Sequence, residues 1–304
     1  MQQHFSDKVI AKIKLKQSFV IVGIDLSLNK LPKSFINKYN IEKSTKDIIT
    51  TILVDYAKKI IDATCEYSIG IKIQSAYFEQ YYIYGIKAIK EISDYAKSKD
   101  LIVIFDGKRN DISSTAEAYA NSYIGSVDIF GVQQSFYEFD AMTVNPYLGS
   151  DSIIPFINEC QKNNKGLFIL VKTSNPSSAE LQNLIIDGKH IYEIIASKVN
   201  DWGKNLIGYN GYSDIGAVVG ALDENAAKNI REILPKHIFL VPGIGAQGGD
   251  IKALKYFIDS NNNGIIVNSS RDIIYAYMKE DTEDFEKSAN KACKDLRDRI
   301  NSIL

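Results

Sequence analysis

Cysteine is scarce in this chain, and long apolar runs are missing. The three cysteines, Cys65, Cys160 and Cys293, are far apart and form neither a CxxC pair nor the spacing of a metal site. Dispersed thiols of this kind are typical of a reducing compartment rather than of a disulfide framework. No apolar run approaches the ~20 residues that a membrane-spanning helix needs. The sequence therefore gives no indication of a disulfide scaffold or of a membrane-embedded protein.

Net charge is also nearly absent. The formal charge is −1, from 36 basic and 37 acidic residues, so nothing draws the whole chain towards nucleic acid or an anionic membrane. Residues 1–17 scatter charge where a signal peptide would carry an apolar core. We therefore expect a cytoplasmic protein that binds neither nucleic acid nor membrane, in which any anionic ligand is held by local groups.

What the chain does contain is an alternation of two patterns. Short, nearly continuous apolar runs rich in Val, Ile and Phe have the composition of strands buried on both faces. Between them, segments such as 45–67 and 250–260 carry apolar residues at helical spacing. Ser114, followed by Glu117, predicts a capping box at the start of one helix. The apolar runs are residues 19–25, 68–73, 101–106, 141–145, 166–172, 216–221, 237–243 and 264–269.

Eight such strands alternating with helices predict a parallel sheet, and eight is the number that closes into a (β/α)₈ barrel. A chain of 304 residues is long for one domain, but α/β barrels of this size form a single unit. We therefore expect residues 1–304 to be one TIM barrel domain with additional helices. A doubly wound open sheet is the alternative, and it is disfavoured because GIDLSLNK, rather than GxGxxG, accompanies the first strand.

Polar residues stand at the ends of most of these runs. The carboxyl ends of barrel strands converge on the face that carries active sites, and a charge placed there must be paired or solvated. Any one of these residues is most simply a strand end that meets water, but their repetition favours a shared site. The residues are Asp25, Lys72, Asp106, Asn145, Lys172, Thr173, Asn268 and Ser269.

The segment IVIFDGKRNDI, residues 102–112, concentrates charge at one of these ends. Asp106 and Lys108 lie two residues apart and therefore share one face of a strand. Their pairing would lower the carboxyl pKa and keep the ammonium charged. Lys72 is a second candidate cation, whereas Asp111 falls beyond the strand and need not point into the same barrel. A solvated Asp-Gly turn is the alternative for this segment.

A second candidate site is the glycine-rich VPGIGAQGGD, residues 241–250, which is followed by NSSR, residues 268–271. Glycines let a backbone approach a ligand and expose N–H groups to an anion. Loops after strands 7 and 8 form the usual phosphate site of such barrels, and Arg271 would add a bidentate contact. These features predict a phosphate site, with a flexible glycine turn as the alternative. A Walker A loop is excluded because no GK[ST] follows.

Together these motifs resemble the orotidine 5′-phosphate decarboxylase family, whose third strand carries D-x-K-x-x-D-I, here Asp106 to Ile112. Within this motif Gly107, Arg109 and Asn110 are interpreted as spacers. The chain length, NPYLG and KTSNP are similar to the longer branch of the family. The other matching segments, in the family's order, are GID (23–25), KIQSAYFE (72–79), TVNPYLG (143–149), VKTSNP (171–176), VVGA (218–221) and PGIGAQGG (242–249).

The resemblance implies a carboxy-lyase that converts orotidine 5′-phosphate to UMP and CO₂, the last step of de novo pyrimidine synthesis, without a metal or organic cofactor. It implies that Lys108 stabilises the C6 carbanion and protonates it, within a charged array that includes Lys72 and Asp106. It also implies a homodimer in which Asp111 completes the neighbouring subunit's array. The implied substrate-binding residues are Asp25 for ribose, Ile112 and Thr115 beside Asp111, Ser174 for the pyrimidine, and Pro242, Gln247, Gly248, Gly249 and Arg271 around the phosphate.

Three residues depart from the family's pattern. Gln74, Tyr77 and Leu222 stand where Asn, Phe and Thr are expected, which affects the expected shape of the ribose pocket but not the array. Two other functions are consistent with parts of the sequence. A Mg²⁺-dependent sugar-phosphate decarboxylase or aldolase would share the array, but Gln247, NPYLG and KTSNP favour the nucleotide enzyme. A catalytically silent phosphate-binding barrel would have lost the array, which is present here.

Overall fold

Eight parallel strands close into a barrel in the computed structural model, which describes residues 3–39, 46, 48–220, 224–244 and 251–304. Each strand pairs with its neighbours along the chain, and the first pairs with the last. The predicted (β/α)₈ barrel is therefore confirmed, and the open doubly wound sheet is excluded. The strands are β1 (Val20–Ile24), β2 (Gly70–Gln74), β3 (Ile102–Arg109), β4 (Ala141–Val144), β5 (Gly166–Lys172), β6 (Ser213–Val219), β7 (His237–Pro242) and β8 (Ile265–Ser269).

All eight apolar runs form barrel strands, and their residues are almost completely buried. Two strands differ clearly from the predicted bounds: β6 begins and ends earlier than its apolar run, and β3 continues through the charged segment to Arg109. Strand β3 does so because Arg109 still pairs with Val144 of β4. The strand ladder, rather than the end of the apolar run, therefore decides where β3 stops.

Helices connect the strands and pack around the barrel. The helix predicted within 45–67 is confirmed as Ile48–Thr64, whereas 250–260 contains a 3₁₀ helix, Ile251–Tyr256. The α-helices are α1 (Phe5–Lys16), α2 (Lys33–Ile36), α3 (Ile48–Thr64), α4 (Ala76–Glu79), α5 (Tyr82–Ser98), α6 (Ser113–Tyr123), α7 (Ile154–Asn163), α8 (Ala179–Gln182), α9 (Ile191–Gly203), α10 (Glu224–Ile233), α11 (Arg271–Ile274), α12 (Tyr277–Glu280) and α13 (Phe285–Asn301).

The predicted capping box at Ser114 and Glu117 is wrong. Helix α6 begins at Ser113, so Ser114 lies inside the first turn instead of preceding it. Ile112 occupies the N-cap position, and no side chain there accepts a hydrogen bond from the helix. The prediction fails because the loop after β3 enters the helix earlier than the sequence pattern indicates.

Helix α1 lies across the amino end of the barrel. The ring of Phe5 packs edge-on against Phe168 of β5, with 5.9 Å between ring centroids. The backbone N–H of Ser6 donates to the buried carboxylate of Asp214 at the start of β6. Helix α1 thus covers the amino end of the barrel, and the described residues form a cavity at the carboxyl end. Across the described residues, no helix combines the length and the apolar character needed to cross a membrane.

Candidate active site

A cavity of about 560 Å³ opens at the carboxyl end of the barrel. Leu170, Val218 and Leu240, from three neighbouring strands, give it an apolar wall. Residues at or near the carboxyl ends of β1, β2, β3, β4, β5 and β8 supply the polar groups, as the sequence predicts. The polar lining includes Asp25, Lys72, Gln74, Asp106, Lys108, Thr143, Thr173, Ser174, Asn175, Asn268, Ser269, Ser270 and Arg271.

Two of the predicted strand-end residues lie outside this lining. Asn145 turns back on its own loop, where its Oδ1 accepts the backbone N–H of Tyr147 at 3.1 Å. The ammonium of Lys172 donates to Asn183 Oδ1 at 2.6 Å and lies over the ring of Tyr192. Both side chains therefore stabilise loops beside the cavity, and their predicted place in a shared site is wrong.

The carboxylate of Asp106 is the centre of the charged array. Lys72 Nζ donates to its Oδ2 at 2.6 Å, and Lys108 Nζ donates to its Oδ1 at 2.6 Å. Two neutral groups complete its coordination: Gln74 Nε2 donates to Oδ2 at 3.1 Å, and Thr143 Oγ1 donates to Oδ1 at 2.9 Å. With four donors around it, Asp106 has its hydrogen-bonding capacity filled. It is therefore an anchor for the surrounding groups.

Asp106 and Lys72 are both ionised at neutral pH. Burial alone would raise the pKa of the Asp106 carboxyl, but the charges of Lys72 and Lys108 hold it below its usual value. Burial alone would lower the pKa of the Lys72 ammonium, but Asp106 and then Asp25 raise it. The side chain of Lys72 is only 5% exposed, whereas that of Lys108 is 42% exposed. Lys108 is thus the cation that a ligand in the cavity can reach most directly.

The charged segment of β3 is not a simple turn. Lys108 has φ of 45°, in the left-handed region that a lysine rarely adopts. Gly107 precedes it, and a Cβ at this position would lie 2.4 Å from the ring of Phe105. Gly107 is therefore required by the close approach of that ring, and its interpretation as a spacer is wrong.

Arg109 has a packing role that the sequence did not reveal. Its guanidinium lies over the rings of Phe105, Tyr119 and Tyr123, at 5.6, 5.7 and 5.6 Å from their centroids. It also pairs with Glu79 of α4. Arg109 therefore fastens the end of β3 to α4 and α6, and it is not a spacer either. The sequence around Arg109 does not indicate this role, because two of the three aromatic partners belong to α6 and approach Arg109 only in the folded chain.

Asp25 directly follows β1, Asn268 lies on the neighbouring β8, and both line the cavity. The Oδ1 atom of each is buried and has no hydrogen-bond partner among the described residues. Gly23 allows the end of β1 to approach Ser270, which directly follows β8, since a Cβ on Gly23 would lie 1.8 Å from Ser270 Oγ. Two buried acceptors beside a cavity suit ligand hydroxyl groups, which would satisfy them.

The predicted phosphate and pyrimidine residues are partly placed. Ser174, Pro242 and Arg271 line the cavity. Ser174 packs closely against the end of β6, because a Cβ on Gly220 would lie 2.8 Å from its backbone nitrogen. Other predicted residues lie outside the described part of the chain, namely Leu222, Gln247, Gly248 and Gly249.

Asp111, Ile112 and Thr115 are not brought into the cavity of their own chain. Asp111 Oδ1 accepts the backbone N–H of Ile112 at 2.8 Å, just before α6 begins. Ile112 is 49% exposed, and Thr115 is also exposed. Ile112 and Thr115 therefore present an apolar and a polar side chain to the surface, a few residues beyond Lys108 in the chain.

Comparison with known proteins identifies the family. The family model for the Orotidine 5′-phosphate decarboxylase / HUMPS family matches residues 18–284. An orotidine 5′-phosphate decarboxylase of Caldicellulosiruptor bescii is 55% identical over 302 residues, covering 99% of each chain. One from Clostridium perfringens is 38% identical, covering 98% of this chain and 99% of its own. The solved structure of Leishmania donovani OMP decarboxylase is 30% identical, with a TM-score of 0.74 and 99% of each chain covered. The chain therefore belongs to the orotidine 5′-phosphate decarboxylase / HUMPS family.

Proposed function

We propose that this protein decarboxylates orotidine 5′-phosphate to UMP and CO₂, the last step of de novo pyrimidine synthesis. The observation that carries the proposal is the array of Lys72, Asp106 and Lys108 on one side of the cavity. The choice of substrate is supported by relatives named orotidine 5′-phosphate decarboxylase, such as the protein of C. bescii, which is 55% identical over nearly the whole of both chains.

The difficulty of this reaction is a carbanion at C6 of the pyrimidine, which has little resonance stabilisation. An ammonium fixed beside that carbon stabilises the developing charge more in the transition state than in the bound substrate. Lys108 is the proposed ammonium, because it lines the cavity and is the more exposed of the two lysines. After CO₂ leaves, the same group donates its proton to C6. No metal or organic cofactor takes part in this scheme.

Asp106 and Lys72 set the position of Lys108. The Lys108 ammonium donates to the Asp106 carboxylate at 2.6 Å, and this contact fixes the position of the ammonium. Lys72 donates a hydrogen bond to the other oxygen of the same carboxylate. Its positive charge compensates the negative charge of the buried aspartate. The array therefore presents a cation of fixed position to the substrate.

The rest of the cavity orients the nucleotide. Asp25 binds the ribose hydroxyls through its unpartnered oxygen, and Ser174 binds the pyrimidine. Pro242 and Arg271, which line the cavity, are the proposed phosphate-binding residues. Gln247, Gly248 and Gly249 are proposed to join them, although they lie outside the described residues. Binding energy from this remote phosphate is used to orient the ring at the reacting carbon.

The proposal includes a cytoplasmic homodimer, each subunit being one domain of residues 1–304. Asp111, Ile112 and Thr115 would complete the neighbouring subunit's site. The exposure of Ile112 and Thr115, and the position of all three residues outside the cavity lining, support this arrangement. A second carboxylate from the partner would then flank Lys108 on the side that Asp106 leaves open.

The decisive experiment follows the orotate absorbance after orotidine 5′-phosphate is added to the purified protein in EDTA. We expect the absorbance to decay and UMP to accumulate. Folded protein that leaves the absorbance unchanged would contradict the proposal. Activity that disappears in EDTA and returns with Mg²⁺ would instead indicate the metal-dependent sugar-phosphate chemistry of a related barrel.

A further inference from the structure

The carboxyl end of β3 arches away from β4 in a bulge. Two register pairs that are four residues apart on β3 are only two residues apart on β4. The segment 106–108 therefore lies opposite the single residue Thr143, and its backbone leaves the regular ladder. The flanking register pairs are Phe105 with Met142 and Arg109 with Val144.

The Thr143 side chain fills the gap that this bulge creates. Its hydroxyl oxygen accepts the backbone N–H of Lys108 at 3.0 Å and donates its hydrogen to Asp106 Oδ1 at 2.9 Å. A threonine hydroxyl has one hydrogen, so the direction of both bonds is determined. The residue is buried, with 1% of its surface exposed. Thr143 thus joins the backbone of one member of the array to the carboxylate of another.

Lys108 needs this support more than Lys72 does. The side chain of Lys72 is 5% exposed, whereas that of Lys108 is 42% exposed. The backbone of Lys108 is also in the left-handed region, which the surrounding structure must stabilise. Within the described residues, the hydrogen bond to Thr143 is the contact that holds its N–H in place of the lost ladder bond.

We propose that Thr143 is a positioning residue for decarboxylation: it holds the bulge at 106–108 so that the Lys108 ammonium stays against Asp106 and towards the substrate. This inference rests on the proposed function, in which Lys108 acts at C6. Small displacements of a reacting group lower the rate strongly even when substrate binding is preserved. The role of Thr143 should therefore be visible in kcat rather than in KM.

The test compares Thr143→Val, which keeps the shape and removes the hydroxyl, with Thr143→Ser, which keeps the hydroxyl. We expect kcat of the valine variant to fall about 10- to 100-fold, the loss typical of a hydrogen bond to a charged group, with KM little changed. The serine variant should recover most of the activity. Thr64→Val is the matched control, because Thr64 is also buried but donates to Ile60 within α3.

A second measurement does not depend on activity. Hydrogen exchange at the Lys108 amide should be slow in the wild-type protein and in Thr143→Ser, and faster in Thr143→Val. The Val103 amide, which donates to Asp140 at the other end of the barrel, should be unaffected. General loosening of the fold would accelerate exchange at both amides and would contradict a local role.

The inference is overturned if Thr143→Val keeps the wild-type kcat, if Thr143→Ser is as impaired as the valine variant, or if exchange at Lys108 is unchanged. These outcomes differ from a failure of the proposed function. If the proposed function fails, the wild-type protein itself does not consume orotidine 5′-phosphate. Hydrogen exchange at the Lys108 amide then decides by itself whether Thr143 holds the bulge.

Discussion

The two ends of the barrel each contain a buried aspartate held between two lysines. Asp106 lies at the carboxyl end, and Asp140 lies at the amino end, directly before β4. In both cases burial alone would raise the carboxyl pKa, but the two cations lower it. Their lysine partners are Lys72 and Lys108 for Asp106, and Lys97 and Lys8 for Asp140.

The surroundings of the two clusters differ, and this difference separates a candidate site from a structural one. Asp140 Oδ2 also accepts the backbone N–H of Val103 at 2.9 Å, and the backbone carbonyl of Asp140 accepts the N–H of Gly166 at 2.8 Å. The cluster is thus built into the strand ladder beneath α1. Asp106 is instead surrounded by side chains that border an open cavity. The same charges can act on a ligand only where there is space for one.

The largest expected effect is on kcat, when the removal of a lysine at the carboxyl end is compared with the removal of a lysine at the amino end. Lys108→Ala should lower kcat about 10³-fold or more, because it removes both the charge beside C6 and the proposed proton donor. Lys97→Ala removes an equivalent partner from Asp140 at 2.8 Å and should leave kcat unchanged. Steady-state kinetics on both variants, with circular dichroism to verify folding, makes the comparison. Similar losses of kcat in the two variants would show that the amino-end cluster also affects catalysis.

A smaller effect tests whether the carboxyl end depends on a second subunit. Asp111→Ala and Lys108→Ala chains, each inactive alone, should recover about a quarter of the wild-type activity when equal amounts exchange subunits at random. Half of the dimers would then be mixed, and each mixed dimer would contain one site with both residues native. Exchange is verified by native mass spectrometry of differently tagged chains. Proven exchange without recovered activity would place the action of Asp111 within its own subunit.

The smallest effect concerns stability at the amino end. Asp140→Asn should lower the free energy of unfolding at pH 7 by about 2 kcal/mol, because it removes a buried charge between two cations, and should retain kcat. The pKa of Asp140 is lowered from 3.8 in the folded state. Its stabilising contribution is therefore complete above that value and is lost as the pH falls through the folded-state pKa. Urea titrations at a series of pH values should show that the free energies of unfolding of wild type and variant approach each other as the pH falls from 7 to below 3.8.

Asp94→Asn is the matched control for this measurement. Asp94 forms an exposed pair with Lys90 on α5, and surface pairs of this type contribute little to stability. We expect no measurable change in the free energy of unfolding at either end of the pH range. The difference in free energy of unfolding between wild type and Asp140→Asn could instead stay constant with pH. In that event the charge of Asp140 would not be the source of its contribution to stability.

Much of the barrel could be predicted from the sequence. Strands buried on both faces must be continuously apolar, so each of the eight apolar runs predicts a strand by its composition alone. The period of two along a strand also placed Asp106 and Lys108 on one face. The order of residues along the chain also separates the two aspartates, because Asp106 ends one apolar run and Asp140 precedes another. The lysine partners of Asp140 and the helix that covers it were not predictable, because they come from distant parts of the chain.

The sequence by itself determined the fold, the array of Lys72, Asp106 and Lys108, and the place of Asp25 and Arg271 at the cavity. Only the tertiary structure decided that β3 bulges at 106–108, that Thr143 lies beneath the bulge, and that Asn145 and Lys172 turn away. The physical reason is that periodicity describes the faces of one element. The register between neighbouring strands, and the direction of each side chain at a strand end, depend on contacts between residues that are distant in the chain.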